Sequence, residues 1–352
     1  MKYKQKNNFF ESLSEFDNHN SVVFVYDEKT KLRGYIAFHK GGFYIPSFGA
    51  TRFLNYRNGT DAVRDALRLS KLMSYKNALA GLSYGGAKAV LIEPKGKYSK
   101  NALLKEYARH IEKLGGSFIT GTDVGITLKE LKLMMTKTKN MVGVVNNPEK
   151  ATALGVVYSM EAAAKNIKNK KSIVGMSFAI QGVGKVGKEI LSIIYKRASK
   201  IYISDINTKT LRKVKKQFPR VAVLSPEKIH KQNVDIFCPC ALSNVLNSES
   251  INQIRAKAVI GSANNQLKSI EIGETLHRLG ILYCPDYVVN AGGLIAVADE
   301  YEHKKPNKAR LNKKLQGIGK RVEKILSLSK TSKKPPVIIA DEMANRILKN
   351  FR

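Results

Sequence analysis

Tryptophan is absent from this 352-residue chain, and cysteine is nearly so, with only Cys238, Cys240 and Cys284. Without tryptophan the core has to rest on Ile, Leu, Val, Ala, Phe and Tyr. The cysteines make no C-x-x-C pair and no histidine cluster lies beside them. That argues against a disulfide framework and against a bound metal, and buried free thiols are expected instead. No apolar run approaches the roughly 18 residues a membrane helix needs. The start, MKYKQKNNFFESLSEF, is basic but lacks the apolar stretch of a signal peptide. A cytoplasmic protein with no membrane partner is expected.

Acidic residues are also scarce. There are 28 against 61 lysines and arginines, a formal net charge of +33. Such an excess can serve nucleic acid, a membrane surface or anionic partners. The lysines, however, are scattered over helix faces and loops such as NIKNKKS and EHKKPNKARLNKK. They form no stripe interleaved with the aromatics on which single strands stack. The excess reads as solvated surface that gathers small anions, and a basic nucleic-acid-binding protein is kept only as the alternative.

With 43% hydrophobic residues the chain can bury a large core, and its length suits about two domains. Two β-rich runs, SVVFVYDE and LRGYIAFH, open the pattern. TDAVRDALRLSKLMSYKNALAG has apolar residues at helical spacing and stops on Gly81. KAVLIEP reads as a short buried strand, NALLKEYARHIEKLGG as a helix capped by Asn101, and FITGTDVGIT as a strand running into a loop. A long helix begins in NNPEKATALGVVYSMEAAAKNI, and its proline turn is the expected hinge. From Lys171 strands and helices alternate regularly, the pattern of a parallel, doubly wound sheet. The helical stretch NKARLNKKLQGIGKRVEKILSLSK and the helix PVIIADEMANRILKNF close the chain.

The strand SIVGMSFAIQ runs into Gly182-Val183-Gly184-Lys185-Val186-Gly187, and the helix KEILSIIYKRA follows. This is G-x-G-x-x-G in its required context. Gly182 makes the turn, Gly184 lets the backbone approach a pyrophosphate, and Gly187 allows close helix–strand packing. The free N–H groups of the helix start, at Lys185 and Val186, face the phosphates. Asp205, at the end of IYISDI, stands where an acid accepts hydrogen bonds from the adenosine ribose and repels a 2′-phosphate. The expected cofactor is NAD, although Lys209 and Arg212 nearby temper the preference over NADP.

The proton chemistry has to come from elsewhere. Lys76 in SYKNALAG and Lys88 in GGAK bracket a glycine-rich turn, and Asp123 lies in TGTDVG at a strand-to-loop transition. A desolvated lysine with a lowered pKa beside a balancing carboxylate suits proton transfer. In a lysine-rich chain the same residues also read as two surface lysines and a turn aspartate. From spacing alone both readings stand.

MSYKNALAGLSYGGAKAVLIEP, TGTDVGIT, DIFCPCALSNVLN, GSANNQL and CPDYVVNAGGLIAVADE resemble, in order, the motifs of the glutamate/leucine/phenylalanine/valine dehydrogenases, most closely the leucine dehydrogenase branch. The likeness runs from about Val22 to Asn345. It implies an α/β fold of two domains with a catalytic cleft between them. The substrate-binding and oligomerisation domain would be 1–145, joined by the C-terminal helix 335–352, and the Rossmann-type NAD-binding domain 146–334. It implies NAD-dependent, reversible deamination of an L-amino acid to its 2-oxo acid and ammonia. By this resemblance Lys88 activates the attacking water and Asp123 handles protons at the amino group. Lys76 and Asn290 hold the substrate carboxylate. Thr152, Cys240, Ala241, Ala263, Asn264 and Asn290 sit along the cofactor.

Family members carry G-G-x-R where this chain has Gly49-Ala50-Thr51-Arg52, so Ala50 crowds the carboxylate pocket. Glutamate-specific members resembling this pattern carry a lysine at the position of Phe48. Phe48 cannot pair with a carboxylate, and an unpaired one in an apolar pocket is costly, so glutamate is excluded. Phe48 fills one wall of the side-chain pocket and Gly121 enlarges the other. An apolar substrate follows, of the leucine, valine or isoleucine type or of the phenylalanine type. A family member with altered substrate or a biosynthetic role is the nearer alternative. A homo-oligomer is expected, a dimer first and an octamer second.

Overall fold

The computed structural model describes residues 9–42, 44–241 and 243–351. The chain divides into two compact units. Unit 1 comprises residues 1–145, 300–302 and 344–352, and unit 2 comprises 146–299 and 303–343.

Unit 1 is built from β1 (Ser21–Asp27), β2 (Leu32–Lys40), β3 (Ser47–Phe48), β4 (Thr51–Leu54), α1 (Gly59–Ala80), β5 (Gly85–Ile92), α2 (Lys100–Lys113), β6 (Phe118–Ile119) and α3 (Leu128–Met135). Among the described residues its strands form one six-stranded mixed sheet in the order β1-β2-β5-β3-β6, with β4 also on β5. β5 is the central strand, antiparallel to β2 and parallel to β3 and β4. Its alternation sorts side chains to two faces. Ala87, Ala89 and Leu91 enter a core with Leu103, Leu104, Tyr107 and Ile111 of α2. Val90 enters a core with Ala62, Val63, Ala66 and Leu67 of α1. Lys88, two residues before Val90, therefore belongs to the α1 face.

The long helix α1 starts on an Asn58 cap and stops at Gly81, whose left-handed backbone (φ 73°) suits glycine. α2 starts two residues earlier than its apolar spacing suggests. Ser99, not Asn101, accepts the capping hydrogen bond, from the Ala102 amide. α3 was not anticipated from apolar spacing, yet Thr127 and Glu130 form a complete capping box at its start.

Unit 2 contains α4 (Pro148–Lys168), β7 (Ser177–Gln181), α5 (Lys185–Ile194), β8 (Lys200–Ser204), α6 (Thr208–Gln217), β9 (Ala222–Val223), α7 (Pro226–Ile229), β10 (Ile236–Pro239), β11 (Ala258–Val259), α8 (Ile270–Arg278), β12 (Leu282–Tyr283), α9 (Asp286–Val289), α10 (Gly292–His303, whose residues 300–302 group with unit 1), α11 (Lys308–Ser332) and α12 (Pro336–Leu348, whose last residues also group with unit 1). Its sheet is six-stranded among the described residues, in the order β12-β11-β10-β7-β8-β9, and every pairing is parallel. The chain runs outward from β7 to β9, then returns to β10 on the other side of β7. This reversal places the topological switch point between β7 and β10, where such sheets bind ligands at their carboxyl ends. Pro148 opens α4 as its first residue, with Asn147 as cap.

Candidate active site

In unit 1 the sheet brings Lys88 and Asp123 together. Lys88 is 5% exposed, and its Nζ lies 2.5 Å from Asp123 Oδ2. Burial is the main influence on Lys88 and pushes its pKa below the ordinary lysine value; Asp123 opposes this without overcoming it. Burial pushes the Asp123 carboxyl the other way, but the charges of Lys88 and Arg52 prevail and hold it below the usual carboxylate range.

The pair does not stand alone. Arg52, on β4, donates from Nε to Asp123 Oδ2 at 3.1 Å and from Nη1 to Asp65 Oδ2 at 2.8 Å. Asp65, on α1, also accepts from Tyr56 at 2.7 Å and from Arg68 at 2.7 Å. Charges alternate along this chain, so each ion is compensated and Asp123 is aimed from two sides. Sequence reasoning missed Asp65, Tyr56 and Arg68. Asp65 lies eight residues before the MSYKNALAG motif on α1 and thirteen after Arg52, and only the fold brings it to the site.

The glycines around Lys88 are required by packing. A side chain on Gly85 would fall 1.9 Å from Lys40 O, and one on Gly86 would fall 2.0 Å from the Ser74 backbone nitrogen. They let β5 close against β2 and α1. Gly49 is similar, since a Cβ there would meet Ala87 O at 1.9 Å. Gly121 faces Val142, whose carbonyl oxygen would lie 3.1 Å from an added Cβ. Lys76 is half-buried near the end of α1. Its neighbour Asn77 is fully buried and ties α1 to the sheet by donating to Gly85 O at 2.6 Å and Phe48 O at 3.4 Å.

Phe48 is completely buried. Tyr84 covers it at 4.4 Å between ring centroids, and Tyr301 meets it edge-on at 5.5 Å. Tyr84 donates to Glu302 at 3.2 Å. Glu300 accepts from the amides of Gly143, Val144 and Val145 at 3.0 to 3.1 Å, pinning the loop that ends the first segment of unit 1. Neither tyrosine was singled out by its local sequence, because Tyr301 reaches Phe48 only through folding.

In unit 2 the glycine-rich turn has the shape of a phosphate cradle. Gly182 has φ +94°, and an added Cβ would strike Ala241 Cβ at 2.6 Å. A Cβ on Gly187 would lie 2.0 Å from Gly182 O, whereas around Gly184 nothing lies within 4 Å. α5 begins at Lys185 with no side-chain cap, leaving its first amides open to an anion. Asp205 holds the turn from β8, accepting from the amides of Val183 and Asn207 at 2.9 Å each. A carboxylate has lone pairs for further donors.

Cys240 and Ala241 lie at the end of β10 beside this turn, with the Cys240 amide donating to Gln181 O at 2.7 Å. The Ala263 amide donates to Pro239 O at 3.0 Å. Asn290 directs its amide hydrogens to Asn264 Oδ1 at 2.9 Å and to the Ser262 and Ala263 carbonyls. Asn290 Oδ1 and Gln181 Oε1 are buried acceptors without a hydrogen-bond partner. Thr152 donates to Pro148 O at 2.8 Å and lies against Gly293, where a Cβ would meet its hydroxyl at 2.8 Å. Open amides, a cradle that only glycine fits and orphan acceptors together suit a dinucleotide.

The family model described as Glu/Leu/Phe/Val dehydrogenase, dimerisation domain, matches residues 19–140, and the one described as Glutamate/Leucine/Phenylalanine/Valine dehydrogenase matches residues 143–345. The chain belongs to the glutamate/leucine/phenylalanine/valine dehydrogenase family. Leucine dehydrogenase from Bacillus subtilis is 36% identical over 97% of this chain and 94% of its own length. Phenylalanine dehydrogenase from Bacillus thermotolerans is 40% identical over 83% and 78%. The crystal structure of L-tryptophan dehydrogenase from Nostoc punctiforme superposes with a TM-score of 0.84, at 36% identity, covering 94% of this chain and 96% of that one. This member of the family is an amino-acid dehydrogenase, and its near-full-length likeness to leucine dehydrogenases supports that branch.

Proposed function

We propose that the protein catalyses the NAD-dependent, reversible deamination of an apolar L-amino acid to its 2-oxo acid and ammonia. The observation that carries the reading is the buried Lys88–Asp123 pair, a lysine with a lowered pKa held 2.5 Å from an ionised carboxylate. When bound, NAD supplies a hydride acceptor for the substrate α-carbon. The turn 182–187, Asp205, Cys240, Ala241, Ala263 and Asn264 would hold its dinucleotide part, and Thr152 and Asn290 its nicotinamide end.

The chain's own groups do the rest. Lys76 balances the substrate α-carboxylate. Lys88, neutral for part of the cycle because burial disfavours its charge, takes a proton from the water that adds to the imine carbon. Asp123 exchanges protons at the amino group. Arg52 keeps Asp123 ionised between turnovers. The rings of Phe48, Tyr84 and Tyr301 set the side-chain preference, since Phe48 itself cannot pair with a side-chain carboxylate. The exposed aromatics Phe24 and Tyr26 on the edge strand β1 support a homodimer through unit 1. The reading places the enzyme in the cytoplasm.

NADH formation at alkaline pH with L-leucine, valine, isoleucine, phenylalanine, tryptophan and glutamate tests the proposal. Turnover of one or more apolar members, with glutamate inert, is expected. A folded protein that binds NADH yet turns over none of the apolar amino acids refutes it.

A further inference from the structure

Two of the three cysteines lie together at the switch point of unit 2. Cys238 is on β10 and Cys240 just beyond it, so their side chains share a face, and their Sγ atoms are 3.5 Å apart. Pro239 holds the backbone between them. Cys238 is fully buried, while Cys240 is partly exposed. The hydrogen bond from Cys238 holds the Cys240 thiol below its ordinary pKa, against burial and with help from Ser262, and it pushes Cys238 up. Cys284 is also buried, and burial pushes its thiol up to about 12. One thiol is therefore reactive, one is poised to resolve it and one is inert.

We propose that Cys238 and Cys240 are a redox modification site, a reversible disulfide whose closure disables the dinucleotide cradle. The oxidant is a peroxide. The Cys240 thiolate attacks one peroxide oxygen of hydrogen peroxide, the O–O bond breaks, and one water leaves once protonated, giving a sulfenic acid. The Cys238 sulfur attacks that sulfur, the S–S bond forms, the S–O bond breaks, and a second water leaves with the Cys238 proton. Two electrons pass from the thiols to the peroxide. A dithiol reverses the change by exchange.

Closure has a cost at the cradle. A disulfide holds its sulfurs about 2.05 Å apart, so the pair must close by more than an ångström from 3.5 Å. Cys240 has little room to follow. Its Cβ would lie 3.3 Å from a Cβ on Gly187, its amide is bonded to Gln181 O, and Ala241 presses on Gly182. Drawing Cys240 toward β10 shifts the wall on which the glycine-rich turn rests. The gating half of the proposal rests on unit 2 binding NAD.

Intact mass and NADH fluorescence, measured on the reduced enzyme before and after hydrogen peroxide, separate the two halves. The expected result is a loss of about 2 Da, from two hydrogens, located to the 238–240 peptide. NADH affinity should fall by about tenfold or more, roughly 1.4 kcal/mol, and dithiothreitol should restore both. Cys238→Ala should bind NADH like wild type, and peroxide should cause it no loss of mass or affinity. Unchanged mass, or added oxygen at Cys240 with no cross-link, overturns the disulfide. A cross-link that leaves NADH affinity intact overturns the gating. Reduced enzyme that binds no NADH overturns the cofactor reading and the gating with it, while the mass still decides the disulfide.

Discussion

Lys88 shows how burial and charge pairing pull one residue in opposite directions. A nearly buried ammonium is costly without a partner, and Asp123 supplies one while Asp65 balances the second positive charge that Arg52 brings to the carboxylate. The kinetic consequence has a definite sign. Because the Lys88 pKa is lowered, kcat/KM for deamination should rise with pH and level off below the ordinary lysine value of about 10.4. Asp123→Asn removes the charge that opposes burial, so the rise should move to lower pH and kcat should fall about 100-fold or more. A pH–rate profile of both proteins checks this, and a profile unmoved by the substitution would separate Asp123 from Lys88. Lys88→Ala should abolish turnover while leaving NADH binding unchanged in a fluorescence titration. Lys88 and Asp123 were legible in the chain because their family motifs are local. Arg52, Asp65 and Tyr56 were not assigned roles, because they meet only where β4 crosses α1.

At the scale of elements, the turn joining β7 to α5 is the most legible part of the molecule. Glycine is needed there for reasons that hold in any context: a positive φ at Gly182 and a helix start that leaves no space for a Cβ at Gly187. Gly187→Ala should therefore cost most of the NADH affinity, while circular dichroism shows the fold retained. β5 was legible as a strand, but the reason for its glycines was not, because Ser74 lies twelve residues back on α1 and Lys40 forty-five back on β2.

The junction of β2 with α1 carries a pH-sensitive feature that no pattern announces. The rings of His39 and His19 meet edge-on, 5.0 Å between centroids. His39 meets Asp17, which Lys71 also engages, and His19 meets the Leu67 carbonyl and Ser70. Burial, with His19 and Lys40 adding, lowers the His39 pKa to about 3 despite Asp17. Burial lowers His19 as well. A folded-state pKa below the unfolded value means that unfolding takes up protons. Stability is then full above about pH 6.5 and is lost as pH falls from there toward 3. Thermal melts of wild type should decline across that window, and those of His39→Gln should decline less. Equal slopes would exclude His39 as the cause.

Over the whole molecule the charge of +33 says little about the fold and much about self-repulsion. The melting temperature should rise as salt is added from low to moderate ionic strength, and a flat response would mean the charges are already locally paired. The edge strand β1 presents Phe24 at 54% and Tyr26 at 44% exposure, the open edge that proteins usually blunt with charge. Light scattering of Phe24→Glu should show monomer where wild type shows dimer, and a monomeric wild type would remove the edge as an interface. No helix among the described residues is long and apolar enough to cross a membrane.

By itself the sequence determined the glycine-rich turn and the alternation of strands and helices after Lys171, and the resemblance of its short motifs pointed to Lys88 and Asp123. Each of these rests on neighbours in the chain, on backbone conformation or on a short motif. Only the tertiary structure decided the Arg52–Asp65 relay, the rings of Tyr84 and Tyr301 over Phe48 and the meeting of Cys238 with Cys240. Those depend on which faces pack together, and packing is chosen by burial summed over the whole core rather than by any local run of residues.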